Sequence, residues 1–180
     1  MLKIVVEPRE FFDESKFEFV YTKQTILCLE HSLISLSKWE SKWHKPFLGN
    51  KEIAEEEMID YIRCMTISQN VDPLVYMSLS ENNVLDIKSY MDDAMTATTF
   101  RDNANPKTRQ KNVTSELIYY WMTNLGIPFE CEKWHLNRLL TLIRVCNIEN
   151  GPKKKMRQSD IIKQNRAINE QRKRMLNSRG

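Results

Sequence analysis

Two cysteine–histidine pairs are the residues of this sequence best suited to hold a metal ion. Cys28 and His31 lie three residues apart, and Cys131 and His135 lie four apart in a stretch with helical spacing. Together they could complete a tetrahedral zinc site if the end of an N-terminal strand lay against the last apolar helix. The spacing matches no established zinc-ligand pattern, and all four cysteines of the chain lie in apolar stretches, which favours buried free thiols. We therefore predict no metal and no cofactor.

A second candidate is a pair of tryptophans among basic residues. Trp39 and Trp43 are four residues apart. Their basic neighbours are Lys38, Lys42, His44 and Lys45. Aromatic rings among cations can stack on nucleobases. A pair at this spacing on an amphipathic helix is more often core, with the lysines as its solvated rim, and that is the interpretation we favour.

Catalytic motifs are absent from the sequence. It contains no Gly-rich phosphate loop, no GxSxG, no HExxH and no CxxC, which are the patterns that would position a nucleophile, a metal or a phosphate. His31 and Ser32 are adjacent, but adjacency makes no catalytic triad. We predict no catalytic residue and a protein that is not an enzyme.

The strongest electrostatic feature is a basic C-terminal tail, residues 153–180, with ten basic and two acidic residues and a net charge of +8. Residues 1–152 carry 17 basic and 22 acidic residues, a net charge of −5. Such a layout indicates a tail that contacts an acidic partner, the body or nucleic acid. The tail residues that we expect to bind a partner are Lys153, Lys154, Lys155, Arg157, Arg166, Arg172, Lys173 and Arg174. Its isoleucines favour an amphipathic helix that docks on protein over a disordered terminus, and nucleic acid is the least favoured partner.

The elements that would position these residues follow from the hydrophobic pattern. Apolar and β-branched runs predict N-terminal strands, with a loop over Phe12–Ser15. The predicted strands are Leu2–Val6, Phe17–Tyr21 and Thr25–Leu29. A change to helical spacing predicts a helix capped by Ser32 and stopped by Pro46. Further helices are predicted over Glu52 to about Met65, after Asp72–Pro73 and after Ser80.

The most apolar long stretch is Thr114–Asn150. Its pattern predicts two helices joined at Gly126–Pro128, with Glu130 and Glu132 in the first turn of the second helix. We expect Trp121, Trp134, Leu139 and Ile143 to lie in the core. The polar segment Asp102–Gln110 that precedes this hairpin reads as an exposed loop.

These observations predict an α+β fold. A mainly α-helical domain over residues 1–152 has a small N-terminal antiparallel β-sheet or hairpin over about 1–30 and helices over about 32–150, followed by the basic tail of residues 153–180, which can form a helix. No signal peptide and no membrane-spanning run are recognisable in the sequence, so we expect no membrane partner.

Several stretches over nearly the whole chain carry a family resemblance. They are LEHSLISLSKWESKWHKPFL (Leu29–Leu48), DYIRCMTISQNVDP (Asp60–Pro73), MTATTF (Met95–Phe100), SELIYYWM (Ser115–Met122), IPFECEKWHLNRLLTLIRVCNIEN (Ile127–Asn150) and a basic tail that ends in NSRG. The chain resembles the tail assembly chaperones that are encoded in the tail-morphogenesis regions of long-tailed phages.

The resemblance implies a non-catalytic protein of the host cytoplasm. It would coat the long, helical, hydrophobic tape measure protein, hand it to tail tube subunits and be absent from the finished virion; many such chaperones also have a longer form made by translational frameshift. Self-association is a further expected contact, through a basic tail on a neighbour's acidic body. Two alternatives remain: a structural tail or head–tail completion protein of the virion whose sheet joins its neighbours edge to edge, and a nucleic-acid-binding regulator that uses the basic tail.

Overall fold

The N-terminal strands form two antiparallel ribbons. Along the sequence, one ribbon is inserted between the two strands of the other. The computed structural model describes residues 1–50, 52–100, 113–151 and 158–176. The strands are β1 (Leu2–Val6), β2 (Glu10–Asp13), β3 (Glu18–Tyr21) and β4 (Thr25–Leu29). Strands β1 and β4 pair as the inner ribbon, and β2 and β3 pair as the outer ribbon. The predicted loop at Phe12–Ser15 is therefore wrong in its first half, because Phe12 and Asp13 belong to β2.

The helices follow the ribbons along the chain. Over the described residues there are seven α-helices and one 3-10 helix. They are α1 (Leu33–Trp43), α2 (Glu55–Met65), α3 (Pro73–Met77), α4 (Glu81–Asp92), α5 (Ser115–Asn124), the 3-10 helix (Phe129–Lys133), α6 (Leu136–Asn150) and α7 (Gln158–Leu176). The predicted α+β fold, mainly helical with a small N-terminal antiparallel sheet and a helical tail, is confirmed.

The inner ribbon supplies one wall of the core because its side chains alternate. Ile4, Val6, Leu27 and Leu29 are buried, as period-two spacing requires of a ribbon with one covered face. Helices α1, α2, α5 and α6 supply many of the other buried side chains. Among these are Leu33, Leu36, Tyr61, Ile62, Ile118, Met122, Leu136 and Leu139.

The ends of helix α1 are set by the residues from which the sequence predicts them. The side chains of Ser32 and Ser35 each accept a hydrogen bond from the other residue's backbone N–H, which forms a capping box. At the other end His44 adopts a left-handed conformation with φ 54°, and Pro46 follows within two residues. The two signals fix the helix to Leu33–Trp43 as predicted.

The tryptophans of α1 are structural. Trp39 is fully buried, and its indole N–H donates to the carbonyl of Glu57 at 2.8 Å. Trp43 is half-buried and donates to Asp60 at 2.9 Å. The neighbouring Lys42 forms an ion pair with the same carboxylate. Trp39 therefore has no free ring face for a nucleobase, and the core interpretation of this residue is confirmed.

The second half of the predicted helical hairpin has a break that the sequence did not reveal. Glu130 and Glu132 lie in the 3-10 helix instead of in the first turn of an α-helix. Helix α6 starts only at Leu136, whose backbone N–H donates to the carbonyl of His31 at 2.7 Å. As the first residue of α6, Leu136 has no intrahelical acceptor for its N–H, and the carbonyl just after β4 supplies one at the point where the helix starts. The placement of Cys131 and His135 on one helix is therefore wrong.

The core prediction for the hairpin is confirmed for Leu139 and Ile143, which are 0% and 4% exposed. Trp121 and Trp134 are only partly buried and pack against the edge of the core. The guanidinium of Arg138 lies 4.2 Å from the ring centroid of Trp134, so this ring covers a cation as well as apolar atoms.

One buried carboxylate ties distant parts of the chain together. Glu40 of α1 is 6% exposed. Its Oε1 accepts from the backbone N–H of Phe47 at 3.0 Å, and its Oε2 accepts from that of Ser115 at 2.7 Å. Ser115 is the first residue of α5, and the side chain of Thr114, the N-cap, makes no capping bond. The carboxylate thus satisfies the start of α5 from another helix, where the helix dipole also favours a negative charge.

The described chain forms two compact units, Met1–Asn147 and Ile148–Gly180. The boundary predicted at residue 152 stays a prediction. The segment Asp102–Gln110, predicted as an exposed loop, lies outside the described residues. Within the part of the chain that is described, no helix has the length and apolarity to cross a lipid bilayer.

Candidate functional site

The outer ribbon presents a cluster of aromatic side chains to solvent. In its register Phe12 lies opposite Phe19, and Phe17 occupies the turn between the strands. The ring of Phe12 is 5.1 Å from that of Phe19 and 6.3 Å from that of Phe17, centroid to centroid. Cross-strand aromatic pairs at such distances stabilise a ribbon. The three rings together form what we call the aromatic tip.

The aromatic tip is exposed to an extent that is unusual for phenylalanine. Phe12 is 50% exposed, Phe19 59% and Phe17 82%. Single exposed apolar residues are ordinary, but rings that contact one another in solvent make a contiguous patch. On a short ribbon held by backbone hydrogen bonds, such rings are suited to enter apolar pockets of a partner protein.

The turn at the tip is built locally. Oδ1 of Asp13 accepts from the backbone N–H of Ser15 at 2.9 Å and from its hydroxyl at 2.6 Å, an Asx turn that reverses the chain. The hydroxyl bond lowers the pKa of the Asp13 carboxyl. Phe17 then adopts φ 52°, a left-handed conformation that glycine and asparagine tolerate and a bulky ring does not favour. The ring of Phe17 lies in solvent at this turn.

Acidic side chains surround the aromatic tip. The outer ribbon and its turn contain Glu10, Asp13, Glu14 and Glu18 against a single lysine, Lys16. Tyr21 donates its hydroxyl to Glu10 at 2.7 Å, and this bond raises the pKa of Tyr21. An apolar patch with a negative rim is complementary to an apolar surface flanked by lysine or arginine.

The sequence did not identify this site. Alternation over FEFVY predicts a strand, and Phe12 falls in the segment that is predicted as a loop, Phe12–Ser15. The available signal was the symmetry of two aromatic runs, EFFD and FEFVY, around a short polar turn, which is a hairpin pattern. Which face of that hairpin remains uncovered depends on tertiary packing.

The basic residues that the sequence nominated divide between described and undescribed parts of the chain. Arg166, Arg172 and Lys173 lie on α7 and are exposed. Arg174 lies in α7, and its side chain is outside the described part. The remaining four, Lys153, Lys154, Lys155 and Arg157, lie outside the described residues. Their role in binding a partner stays a prediction.

The two histidines of the zinc hypothesis do come together. Ser32 and His135 form an isolated antiparallel bridge, and the rings of His31 and His135 lie 5.2 Å apart, centroid to centroid. Nδ1 of His31 is hydrogen-bonded to the Tyr61 hydroxyl at 2.6 Å, and Nε2 of His135 donates to the carbonyl of Tyr90 at 3.0 Å. Among the described residues no three histidine, cysteine or acidic side chains are grouped so that they could hold a metal ion.

Burial favours the neutral form of both rings. It lowers the pKa of His31 to about 3, with a smaller contribution from His135. Burial likewise lowers the pKa of His135, whose Nδ1 has no hydrogen-bond partner. Two uncharged rings in this position join the end of β4 to the start of α6 and serve the fold.

Comparisons with known proteins give no relative for this chain: no family model, no curated protein and no solved structure matches it.

Proposed function

We propose that this protein is a non-catalytic tail assembly chaperone of a long-tailed phage, which binds the tape measure protein and recruits tail tube subunits in the host cytoplasm. The family resemblance of the sequence supports the proposal, and the structural observation that carries it is the aromatic tip. A protein that protects a long apolar helix needs exposed apolar side chains of its own. Phe12, Phe17 and Phe19 provide them without disturbing the core.

The proposal extends to the kind of client segment that the tip would contact. Amphipathic helices bind apolar partners through side chains spaced by three and four residues. Three rings within about one helical turn of each other match a short apolar stretch of such a helix. The carboxylates of Glu14 and Glu18 favour lysine or arginine beside that stretch. We expect the preferred segments of the tape measure protein to combine both features.

Co-expression with the tape measure protein of the same phage tests the proposal. A tagged wild-type chain should recover the client in a soluble complex. Changing all three tip residues to serine (Phe12→Ser, Phe17→Ser, Phe19→Ser) should lower that recovery at least about tenfold, because an anchoring aromatic side chain contributes roughly 1–2 kcal/mol or more.

The matched control changes three exposed apolar residues elsewhere: Ile67→Ser, Leu85→Ser and Tyr120→Ser. This variant should recover the client as the wild type does. An insoluble client in the presence of wild-type chain would refute the chaperone function. Equal recovery by both triple variants would refute the role of the aromatic tip.

One observation favours the structural alternative, a tail or head–tail completion protein. Each ribbon has only two strands, and β2 and β3 each have an edge without a strand partner among the described residues, whereas the second edge of β4 bridges Thr66. Such edges can pair with a neighbouring subunit. Mass spectrometry of purified virions separates the two functions, since a stoichiometric amount of this chain in the particle would favour the structural one.

A further inference from the structure

Helix α7 presents apolar side chains to solvent along one side. Ile162 and Ile168 are 48% and 40% exposed, and Met175 and Leu176 are 81% and 75% exposed. At about 100° per residue these four side chains fall within an arc of about 140°, which also contains the exposed polar residues Asn165, Asn169 and Arg172. A helix of 19 residues with an open apolar side is marginal by itself and gains stability when that side is covered.

The charge of α7 restricts what can cover it. Among the α7 side chains that the structure describes, the basic residues Lys163, Arg166, Arg172 and Lys173 are exposed, together with one carboxylate, Glu170. The whole tail, residues 153–180, carries a net charge of +8. Pairing of two α7 helices would bring these charges together, which is unfavourable. The complementary partner is an apolar groove with an acidic rim.

The body contains such a groove between α2, α3 and α4. Its volume is about 410 Å³, within the range of roughly 300–1,000 Å³ that is usual for sites that bind apolar ligands. Its apolar lining includes Ile53, Met58, Ile59, Tyr76, Leu79 and Val84.

The acidic rim lies at the start of α2. Glu55 lines the groove, and its neighbours in sequence Glu52 and Glu56 are exposed. None of these three carboxylates forms an ion pair with another described residue. Lys88 is the one cation among the lining residues, and residues 1–152 carry a net charge of −5.

We infer that helix α7 of one copy docks in the α2–α4 groove of a second copy. The apolar side of α7 covers Met58 and Ile59, and Arg166, Arg172 and Lys173, which flank that side or lie within it, face Glu55 and Glu56; Lys163 lies on the opposite side of the helix. The two contacting surfaces differ, so the interface is heterologous, and each added copy leaves one groove and one helix free. The chain therefore assembles head to tail into open-ended oligomers.

Sedimentation velocity of the full chain over a wide range of concentration tests this inference. The wild type should form concentration-dependent oligomers beyond a dimer. Raising the ionic strength from about 0.1 M to about 1 M shortens the Debye length from roughly 10 Å to 3 Å, so association should weaken several-fold. A wild type that stays monomeric at all concentrations, as with a helix docked on its own body or left free, would overturn the inference.

Two variants remove one half of the interface each. Ile162→Asp with Ile168→Asp alters the helix, and Glu55→Lys with Met77→Lys alters the groove, where Met77 is a lining residue that is 56% exposed. Each variant alone should be monomeric, with association weakened at least tenfold. An equimolar mixture should form dimers and stop there, because only one intact helix and one intact groove remain for each pair.

Matched controls keep the change in charge and move it off the interface. Lys163→Gln with Ala167→Asp changes the charge by −2, as the helix variant does, but on the other side of α7. Leu85→Lys with Asp86→Lys changes the charge by +3, as the groove variant does, but on exposed positions of α4 outside the groove. Both controls should assemble as the wild type does. Assembly by the groove variant alone, which pairing of two α7 helices would allow, or a mixture without dimers would overturn the inference. Neither result depends on the tape measure protein.

Discussion

The inner and outer ribbons contain similar residues and use them in opposite ways. In the inner ribbon, Leu27 and Leu29 lose all contact with solvent, because helices cover one face of β1 and β4. In the outer ribbon, the paired rings of Phe12 and Phe19 remain at least half exposed. Residue type alone does not separate a structural strand from a binding strand. The difference lies in whether the rest of the chain covers the face.

The largest expected effect is the loss of folding stability when a buried side chain of the inner ribbon is truncated. Leu27→Ala should lower the free energy of unfolding by about 3 kcal/mol, because it removes a fully buried side chain and leaves a cavity. Phe19→Ala, the larger truncation, should cost less than about 1 kcal/mol, since its ring is mostly in solvent and loses only a cross-strand contact. Urea denaturation of both variants measures the difference. Comparable losses would mean that the outer ribbon is also part of the core.

The next largest expected effect is a pH dependence of folding stability that comes from His31, which follows the inner ribbon. The folded-state pKa of His31 is about 3, below its usual value of 6.5. Above pH 6.5 the ring is neutral in both states and its contribution to stability is complete. Below that value the unfolded chain gains a proton and the native chain does not, so stability falls as the pH drops towards 3. At pH 5 the loss from His31 should be about 2 kcal/mol relative to neutral pH.

Chemical denaturation at pH 7.5 and pH 5 measures this loss. His31→Gln should be less stable at neutral pH, because it loses the bond to Tyr61, yet it should show a smaller decrease between the two pH values. Most carboxylates remain ionised over this interval, so they contribute little to the difference. A pH dependence that His31→Gln leaves unchanged would contradict the assignment.

The smallest expected effect is a gain of folding stability instead of a loss. Phe17→Gly should raise the free energy of unfolding by up to about 1 kcal/mol, because glycine adopts φ 52° without the strain of a side chain. The same change should weaken binding of the tape measure protein in the co-expression assay. Gains of stability with loss of binding would identify Phe17 as a residue kept for contact. A destabilised Phe17→Gly variant would show instead that its ring supports the turn.

The sequence predicted those parts of the fold in which short-range signals act. Ser32 and Pro46 determine the ends of α1, and Asp72 with Pro73 determines the start of α3, through capping bonds and the missing N–H of proline. The break before α6 depends on a bond between the N–H of Leu136 and the carbonyl of His31. No local pattern records a contact between residues more than a hundred positions apart.

The candidate sites were less predictable for the same reason. The basic residues of the tail are visible in composition alone, so the sequence nominated them. The aromatic tip and the α2–α4 groove exist because the rest of the chain leaves Phe12, Phe17 and Met58 at least partly uncovered. Hydrophobic periodicity reports which face of a strand or helix is apolar. It does not report whether that face is buried by the same chain or stays exposed and open to a partner protein.

Glu40 determines where the chain can be divided. A fragment that ended before Ser115 would keep all four strands and the first four helices, and would resemble a complete domain in its element content. It would lose one of the two donors to Glu40 and the core side chains of α5 and α6, among them Ile118, Met122 and Leu139. We therefore expect such a fragment to be less stable than the whole chain, because apolar side chains of α1 that pack against α5 would be exposed to water.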